Sequence, residues 1–452
     1  MRIGLFTDTY RPTINGITYV VETVKKELEA AGHDVYVFCP ARGLRLSKKN
    51  ESAKLEDDHI VRIPSIPSGF FDDFDITLFL PPRILRQIKE MEFDVIHIFT
   101  PSQVGLLGIN AALKQKTPFV VQHSTDLYQF AENYPNVLPG SLALVGVLFP
   151  MSMKLQGQDI REIIKLHRPR RKITQWNQDI ISKAITILYS KADAVIALSR
   201  KSKKQLESWQ DKAYRYKVTL MPNGVDALPS PSASQLAAFR KQWGLELIDE
   251  VFGFVGRLAE EKNLPVLIEA FKQIGRDRPH AKLLFVGDFE YRKVLEKMAA
   301  ESPYADRIIF TGFMNREDLG VVYAALNVFV FPSLKDTQGW VLHEAALAGT
   351  PIVMIDRELS EVIHDGKSGY FAKNNASDIA RKVTDLLKDP KKQAAFGEYG
   401  KALAGNLCQA KQTRKLIDLY ELVVARYGTK PQPVARTAVA RAKEFYARLL
   451  QS

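Results

Sequence analysis

The sequence predicts an α/β protein built as two doubly wound domains. Three observations carry this. At 452 residues the chain is too long for one compact core and suits two domains of about 200 residues each. Short apolar runs of strand length alternate with segments whose apolar residues recur at helical spacing, the pattern of βαβ winding. That pattern halts at a turn-rich stretch, Met221-Pro222-Asn223-Gly224-Val225-Asp226 followed by Leu228-Pro229-Ser230-Pro231-Ser232-Ala233-Ser234, and then restarts. Domains are therefore placed at 1–222 and 223–427. Residues 428–452 are set apart as a C-terminal segment, in which Pro431 to Ser452 read as a basic amphipathic helix after a Gly-Thr-Lys-Pro break.

In the first domain, Arg2 to Thr7 reads as a buried strand and Asp8 to Gly16 as a loop. A helix follows, with Val20, Val21, Val24 and Leu28 on one face and Gly32 as its stop. Val35–Phe38, Val95–Ile98, Phe119–Gln122 and Ala194–Leu198 are further strands. In the second domain the strands are Val251–Val255, Leu283–Val286, a run starting at Ile308, Val328–Phe331 and a run from Pro351 to Ile355. A strand with a hairpin-like turn covers 366–371, and helices fill 376–427. Doubly wound sheets bind ligands at the carboxyl ends of their strands, so the loops there are where function is sought.

The richest such loop follows Val328–Phe331. Pro332-Ser333 end the strand, Gly339 permits a sharp turn or a close backbone approach, and Val341, Leu342, Ala345 and Ala348 fall at helical spacing until Gly349 and Pro351 stop the helix. Two acids, Asp336 and Glu344, thus stand at a helix entrance and on its first turns. A helix N-terminus carries unpaired N–H groups and suits an anionic or hydroxyl-rich ligand. In the second domain's first loop, Gly256-Arg257-Leu258 and Lys262-Asn263 place an Arg and a Lys five residues apart, which suits a diphosphate: Arg supplies a forked donor and Lys a point charge. In the first domain, Gly16 opens a helix without the G-x-G-x-x-G fingerprint. His123 ends a strand, a position where a satisfied structural histidine is also common. His97 is read as structural.

Composition narrows the partners. The 63 basic and 51 acidic residues give a formal charge of +12, which favours anionic partners: phosphorylated ligands, acidic lipid or nucleic acid. No RNP, KH or zinc-knuckle pattern is present, so no nucleic-acid partner is expected. Cys39 and Cys408 alone make neither a disulfide framework nor a zinc site, as expected of a reducing cytoplasm. Met1–Asp8 is too short and too soon acidic for a signal peptide. No apolar run reaches the ~20 residues that span a bilayer.

The charge is uneven. Residues 154–204 hold 13 basic and 4 acidic residues, most of the chain's excess. Just before them, 142–151 is almost wholly apolar, and Ile160, Ile163 and Ile164 share a helical face with Arg161 and Lys165 close by. An apolar segment beside basic amphipathic helices, here about 138–183, suits an acidic membrane surface. A buried helix with a solvated basic face is the alternative.

The stretch from Asp336 to Pro351, (acid)-Thr-Gln-Gly-x-Val-x-x-Glu-Ala-x-x-Ala-Gly-x-Pro, resembles the donor-site motif of family-four retaining glycosyltransferases, in which two acids bracket seven residues. Thr-Asp-Thr-Tyr-x-Pro-x-x-Asn-Gly at 7–16 is similar to the opening of the family's glycolipid-forming members, and the chain resembles bacterial diacylglycerol glucosyltransferases and phosphatidylinositol mannosyltransferases. Gly-Arg-Leu-x-x-x-Lys-Asn resembles the family's diphosphate site and Pro-Asn-Gly-Val-Asp its interdomain hinge. The resemblance covers most of the chain outside 138–183 and the tail after 428. It departs at Asp336, where the family has the longer Glu, and at Gly287-Asp288-Phe289, where a second glycine is usual.

The resemblance implies the GT-B fold: two Rossmann-like domains facing a cleft, with the final helix crossing back to the first. It implies a retaining hexosyltransferase that uses a nucleotide-sugar of the UDP-glucose or GDP-mannose type as substrate, with no cofactor and no metal. Front-face attack, with the leaving phosphate assisting deprotonation, is the family's usual mechanism. Asp336, Glu344 and His123 would be the catalytic set, with Glu344 on ribose, Asp336 beside the hexose and His123 reaching the sugar. Gly16, Arg257, Lys262, Phe313, Thr337, Gln338 and Gly339 would complete the donor site, Phe313 packing on the base or, alternatively, in the core. Tyr10, Asn15 and Asp126 would flank the acceptor. With the apolar-basic insert, the acceptor is expected to be a lipid such as diacylglycerol, and the protein to sit on the inner face of the cell membrane. The alternatives are a soluble transferase acting on a sugar or polysaccharide, and a catalytically silent nucleotide-sugar-binding module.

Overall fold

A computed structural model describes residues 1–13, 15–42, 57–67, 75–77, 80–125, 128, 138–168 and 172–427. The chain divides into two compact units: Met1–Leu198, Ser202–Met221 and the chain from Thr413 in one, Ser199–Lys201 with Pro222–Gln412 in the other.

The first unit is built on eight strands: β1 (Arg2–Phe6), β2 (Asp34–Arg42), β3 (Ile60–Pro67), β4 (Asp75–Thr77), β5 (Val95–Ile98), β6 (Phe119–His123), β7 (Ala194–Ala197) and β8 (Val218–Leu220). Their order is β4-β3-β2-β1-β5-β6-β7-β8, all parallel except the β3–β4 edge. Central strands β5, β6 and β7 are buried at every residue, as continuous apolar runs must be when helices cover both faces. Winding reverses between β1 and β5, so the crevice at their carboxyl ends is the topological switch point.

The second unit holds β9 (Glu250–Val255), β10 (Ala281–Val286), β11 (Ile308–Gly312), β12 (Val328–Phe331), β13 (Ile352–Met354) and β14 (Gly369–Phe371), in the order β11-β10-β9-β12-β13-β14. Every pairing is parallel, so β14 follows a crossover from β13 and not a hairpin. Phe252, Phe254, Phe285, Phe329 and Phe331 fill its core. Here the switch point lies between β9 and β12.

Residues 413–427 pack with the first unit, not with the second as the sequence reading placed them. The helix Gln409–Ala425 carries Leu416, Ile417, Tyr420, Val423 and Val424 at helical spacing, all buried. The Tyr420 hydroxyl lies 2.6 Å from Nδ1 of His97 on β5, and Tyr427 donates to Asp193. The tail helix expected at 428–452 lies outside the described residues.

The apolar segment forms short helices, Leu138–Ala143 and Phe149–Ser152, joined by a π-helical turn at Leu144–Leu148. Val145 and Phe149 are buried, whereas Val147 and Met151 are exposed. The helix Gly157–Leu166 is split likewise. Ile163 does not share an outer face with Ile160 and Ile164: it packs into the core, and those two are 46% and 56% exposed. The insert is therefore half core and half apolar surface.

Candidate donor and acceptor sites

In the second unit, the loop after β9 and the loop after β12 meet at the switch point. Lys262 closes the short 3-10 turn Glu260–Lys262, and its Nζ donates to Asp336 Oδ1 at 2.7 Å. Both side chains are largely buried, at 12% and 17% exposure. Burial would raise the Asp336 carboxyl, but the Lys262 ammonium and hydrogen bond, with Ser333, outweigh it and hold it below the usual range. Its second oxygen, Oδ2, is buried with no hydrogen-bond partner among the described residues. A carboxylate oxygen left bare in this way is ready to accept a ligand hydroxyl. Asn263 laces the same two loops, donating to Pro332 O and to Asn374 Oδ1.

Arg257 stands outside this pair. Its guanidinium lies 4.8 Å from the centre of the Phe289 ring and donates to Glu261 at 3.2 Å, with 60% of the side chain exposed. Phe289 belongs to the loop after β10, which is tied to the Arg257 loop by Leu258 N to Asp288 O and Tyr291 N to Leu258 O. Gly287 allows this: a Cβ there would stand 2.0 Å from Gly256 O. Phe313, just past β11, is 76% exposed. Core packing is thereby ruled out for it, and its ring is open to a planar ligand.

The helix Trp340–Leu347 starts at Gly339, whose φ of 71° a side chain would strain. Gln338 is buried and exchanges two bonds with the Asn223 backbone, so it anchors the hinge segment. Thr337 is half-buried. Glu344 is buried at 4% exposure; Arg316 Nε donates to its Oε1 at 2.9 Å and the Tyr323 hydroxyl to its Oε2 at 3.1 Å. Burial pushes its carboxyl up, against the pull of Arg316 and Tyr323. Neither Arg316 nor Tyr323 was singled out from the sequence, because each lies in an ordinary stretch more than 20 residues from its partner.

In the first unit the loop after β1 lines a small cleft with Asp8, Thr9, Tyr10, Arg11 and Asp75. Asp8 is the residue that sequence reasoning passed over. It accepts from Thr100 Oγ1 at 2.6 Å and from Val104 N at 2.7 Å, so it caps the helix Gln103–Gln115 from a different element. Burial pushes its carboxyl up to about 6 against those hydrogen bonds. An acid directly after an apolar strand was the available signal. Tyr10 is buried, with Arg62 over its ring at 5.6 Å. Asn15, expected beside the acceptor, is spent locally: Oδ1 accepts from Ile17 N and Thr18 N, and Nδ2 donates to Thr9 Oγ1. It is the N-cap of the helix Gly16–Ala30. A Cβ on Gly16 would meet nothing within 4 Å, so its side of the helix start is open. His123 is buried, its Nδ1 3.0 Å from the Tyr189 hydroxyl and its ring edge-on to Tyr189 and Trp209. Asp126 lies outside the described residues. The structure thus joins Lys262 with Asp336 and gathers Tyr10, Asn15 and Thr9 after β1, while His123 sits in an aromatic box of its own.

Residues 14–227 match the Glycosyltransferase Family 4 model and residues 237–403 that of glycosyl transferases group 1. The chain is a family-four glycosyltransferase. This glycosyltransferase is 27% identical to the alpha-monoglucosyldiacylglycerol synthase of Acholeplasma laidlawii, over 86% of this chain and 89% of that one. The enzyme of the same name from Streptococcus pneumoniae is 26% identical over 86% and 78%. A GDP-mannose-dependent alpha-mannosyltransferase of Corynebacterium glutamicum is 25% identical over 78% and 72%. Among solved structures, Anabaena HepE in complex with UDP-glucose superposes with a TM-score of 0.63 at 19% identity, over 93% of this chain and all of that one. Sucrose-phosphate synthase from Thermosynechococcus elongatus gives 0.63 at 19% identity, over 94% and 99%. The two Rossmann-like units are those of the GT-B fold.

Proposed function

We propose that this glycosyltransferase moves a hexose, with retention, from a nucleotide-sugar to the hydroxyl of a lipid acceptor such as diacylglycerol at an acidic membrane surface. The observation that carries the donor half is the Lys262–Asp336 pair at the switch point, a cation for the diphosphate next to a bare carboxylate oxygen for a sugar hydroxyl. Arg257, exposed on the Phe289 ring, is the second cation. Glu344 takes the ribose hydroxyls, and exposed Phe313 takes the base. Stabilising the departing diphosphate and positioning the two substrates supply the rate enhancement.

The reaction in this reading needs no metal, because Arg257, Lys262 and backbone amides meet the leaving charge. Among the described residues, the His/acid cluster with ligand spacing is Glu29, Asp57 and His59, and the Lys25 ammonium already bonds Glu29 and Asp57.

The lipid half is supported by the names of the relatives and by the insert. Val147, Met151, Ile160, Ile164 and Ile173 are exposed in a stretch where Lys154, Arg161, Lys165, Arg168 and Lys172 are exposed too. Apolar groups that dip in and cations that meet acidic headgroups, at ~1 kcal/mol each, suit peripheral attachment. Among the described residues no helix is long and apolar enough to cross a membrane. Radiolabelled UDP-glucose and GDP-mannose, offered with lipid vesicles, test the reading: label should enter the lipid extract. Label confined to a water-soluble product would reject it in favour of a soluble acceptor.

A further inference from the structure

Glu344 is buried, but the residue that holds it is not. Arg316 keeps 34% of its side chain exposed, against 4% for the acid. It opens the short turn Arg316–Asp318 after β11, while Tyr323 lies on the helix Leu319–Ala325 that follows. Only Nε of the guanidinium is bonded to Glu344, and the plane lies over Trp340, 5.5 Å from the ring centre. Trp340 is four residues before Glu344, one turn back on the same helix. The guanidinium is therefore gripped at two points of that helix.

An ionised carboxylate offers acceptors only, whereas protonation turns one of its oxygens into a donor, and an ionised carboxylate at this depth requires a counter-charge. Arg316 and Tyr323 are the charged and titratable groups acting on Glu344, and Tyr323 supplies a hydrogen bond but no charge. A carboxylate has about four acceptor positions, so two remain after these bonds for the two hydroxyls of a ribose.

We propose that Arg316 is a positioning residue of the donor site: it holds the Glu344 carboxylate in one orientation and supplies the counter-charge that lets it accept the hydroxyls of the donor ribose. This rests on the reading of Glu344 as the ribose-binding acid. Lysine at this position provides a charge but neither the planar contact with Trp340 nor the Nε bond, so it substitutes only in part.

Calorimetric titration with UDP and with GDP, from pH 5 to 9, tests this without knowledge of the acceptor. The nucleotide that binds the unaltered protein more tightly is used throughout. Arg316→Met is expected to raise Kd at least tenfold at pH 7 and to move the acid-side loss of binding up by about one pH unit or more. Arg316→Lys recovers part of the affinity and returns the acid-side loss to its original pH. Unchanged affinity in Arg316→Met, or weakened binding with an unmoved pH profile, overturns the proposal. If Arg316→Met does not fold, Arg316→Lys carries the test: a Kd raised severalfold with the original profile supports it, and an unchanged Kd overturns it. Glu344→Gln separates the two levels. If Glu344→Gln binds nucleotide normally, the role of Glu344 itself is wrong. If Glu344→Gln loses binding and Arg316→Met does not, only the role of Arg316 is wrong.

Discussion

Lys262 Nζ and Asp336 Oδ1 lie 2.7 Å apart, joining the loop after β9 to the loop after β12. The cation that is to meet the donor phosphate is thus already paired, and the donor must share it with Asp336. Lys262→Ala is expected to lower turnover at least tenfold, about 1.4 kcal/mol. It also strands a buried carboxylate, costing about 1–3 kcal/mol of stability. The double variant Lys262→Ala with Asp336→Asn should regain stability without regaining activity. Thermal melts and nucleotide-release assays read the two effects separately; full activity in Lys262→Ala would remove Lys262 from the site.

Glu344→Ala should lose at least tenfold in turnover, about 1.4 kcal/mol. The outcome that counts against the assignment is activity equal to the unaltered enzyme at saturating and limiting donor alike.

Phe289 stands where a second glycine is usual in the family, and its ring carries the Arg257 guanidinium. An exposed cation–π contact contributes about 0.5–1 kcal/mol. Phe289→Ala is expected to raise the donor KM about two- to fivefold with little change in kcat, and Phe289→Tyr to restore it. An equal loss in both variants would show that Phe289 acts otherwise than through its ring face.

His97 and His343 are buried and neutral. Burial depresses the first to about 3, and the second to about 4 despite the nearby Gly339 carbonyl. Each therefore titrates lower in the folded chain than in the unfolded one, near 6.5. Their contribution is fully present above pH 6.5 and is lost as pH falls towards 4, by about 1.4 kcal/mol per unit for each. Asp8, raised to about 6, has the opposite sign: its contribution is present below about 4 and lost as pH rises through 6. Of these three groups, the two histidines outweigh Asp8 on acidification from pH 7 to 5; Glu344 and His59, both pushed up, act with Asp8, and His33, pushed down, acts with the histidines. Urea midpoints at pH 7 and pH 5 should differ accordingly, and His97→Asn should reduce the difference; equal midpoints in the unaltered protein would contradict it.

Ile164→Asp places a charge on the outer face of the Gly157–Leu166 helix without touching its buried Ile163. Co-sedimentation with vesicles rich in phosphatidylglycerol should fall at least fivefold. Charge-neutralising Arg161 or Lys165 should cost about 1 kcal/mol each and make the remaining binding less sensitive to added salt. Binding that ignores both changes would place any membrane contact elsewhere.

What the sequence disclosed was local. The Lys262 and Asp336 loops were readable because a glycine, a charge and a helix start fall within a dozen residues after an apolar strand. Gly339 was readable because a helix began there. Long-range partners were not: Asp8 and Thr100 are 92 residues apart, and nothing in either neighbourhood names the other. The capping role of Asn15 was not legible because capping a helix and binding a hydroxyl call for the same side chain. Ile163 was misplaced because helical periodicity gives a spacing, whereas the direction that faces the sheet is fixed by packing against Leu166 and the helix Ile173–Tyr189. The edge strands β4 and β8 have three residues each and give little periodic signal.

The Tyr420 hydroxyl reaches His97 from a helix near the far end of the chain. During synthesis, β5 leaves the ribosome more than 300 residues before the tyrosine that covers it. Until then a neutral imidazole and its apolar surroundings lack their cover, so the amino-terminal half waits in an unfinished state. A nascent chain stalled before residue 413 should accordingly be more sensitive to protease, and more dependent on chaperones, than the released protein.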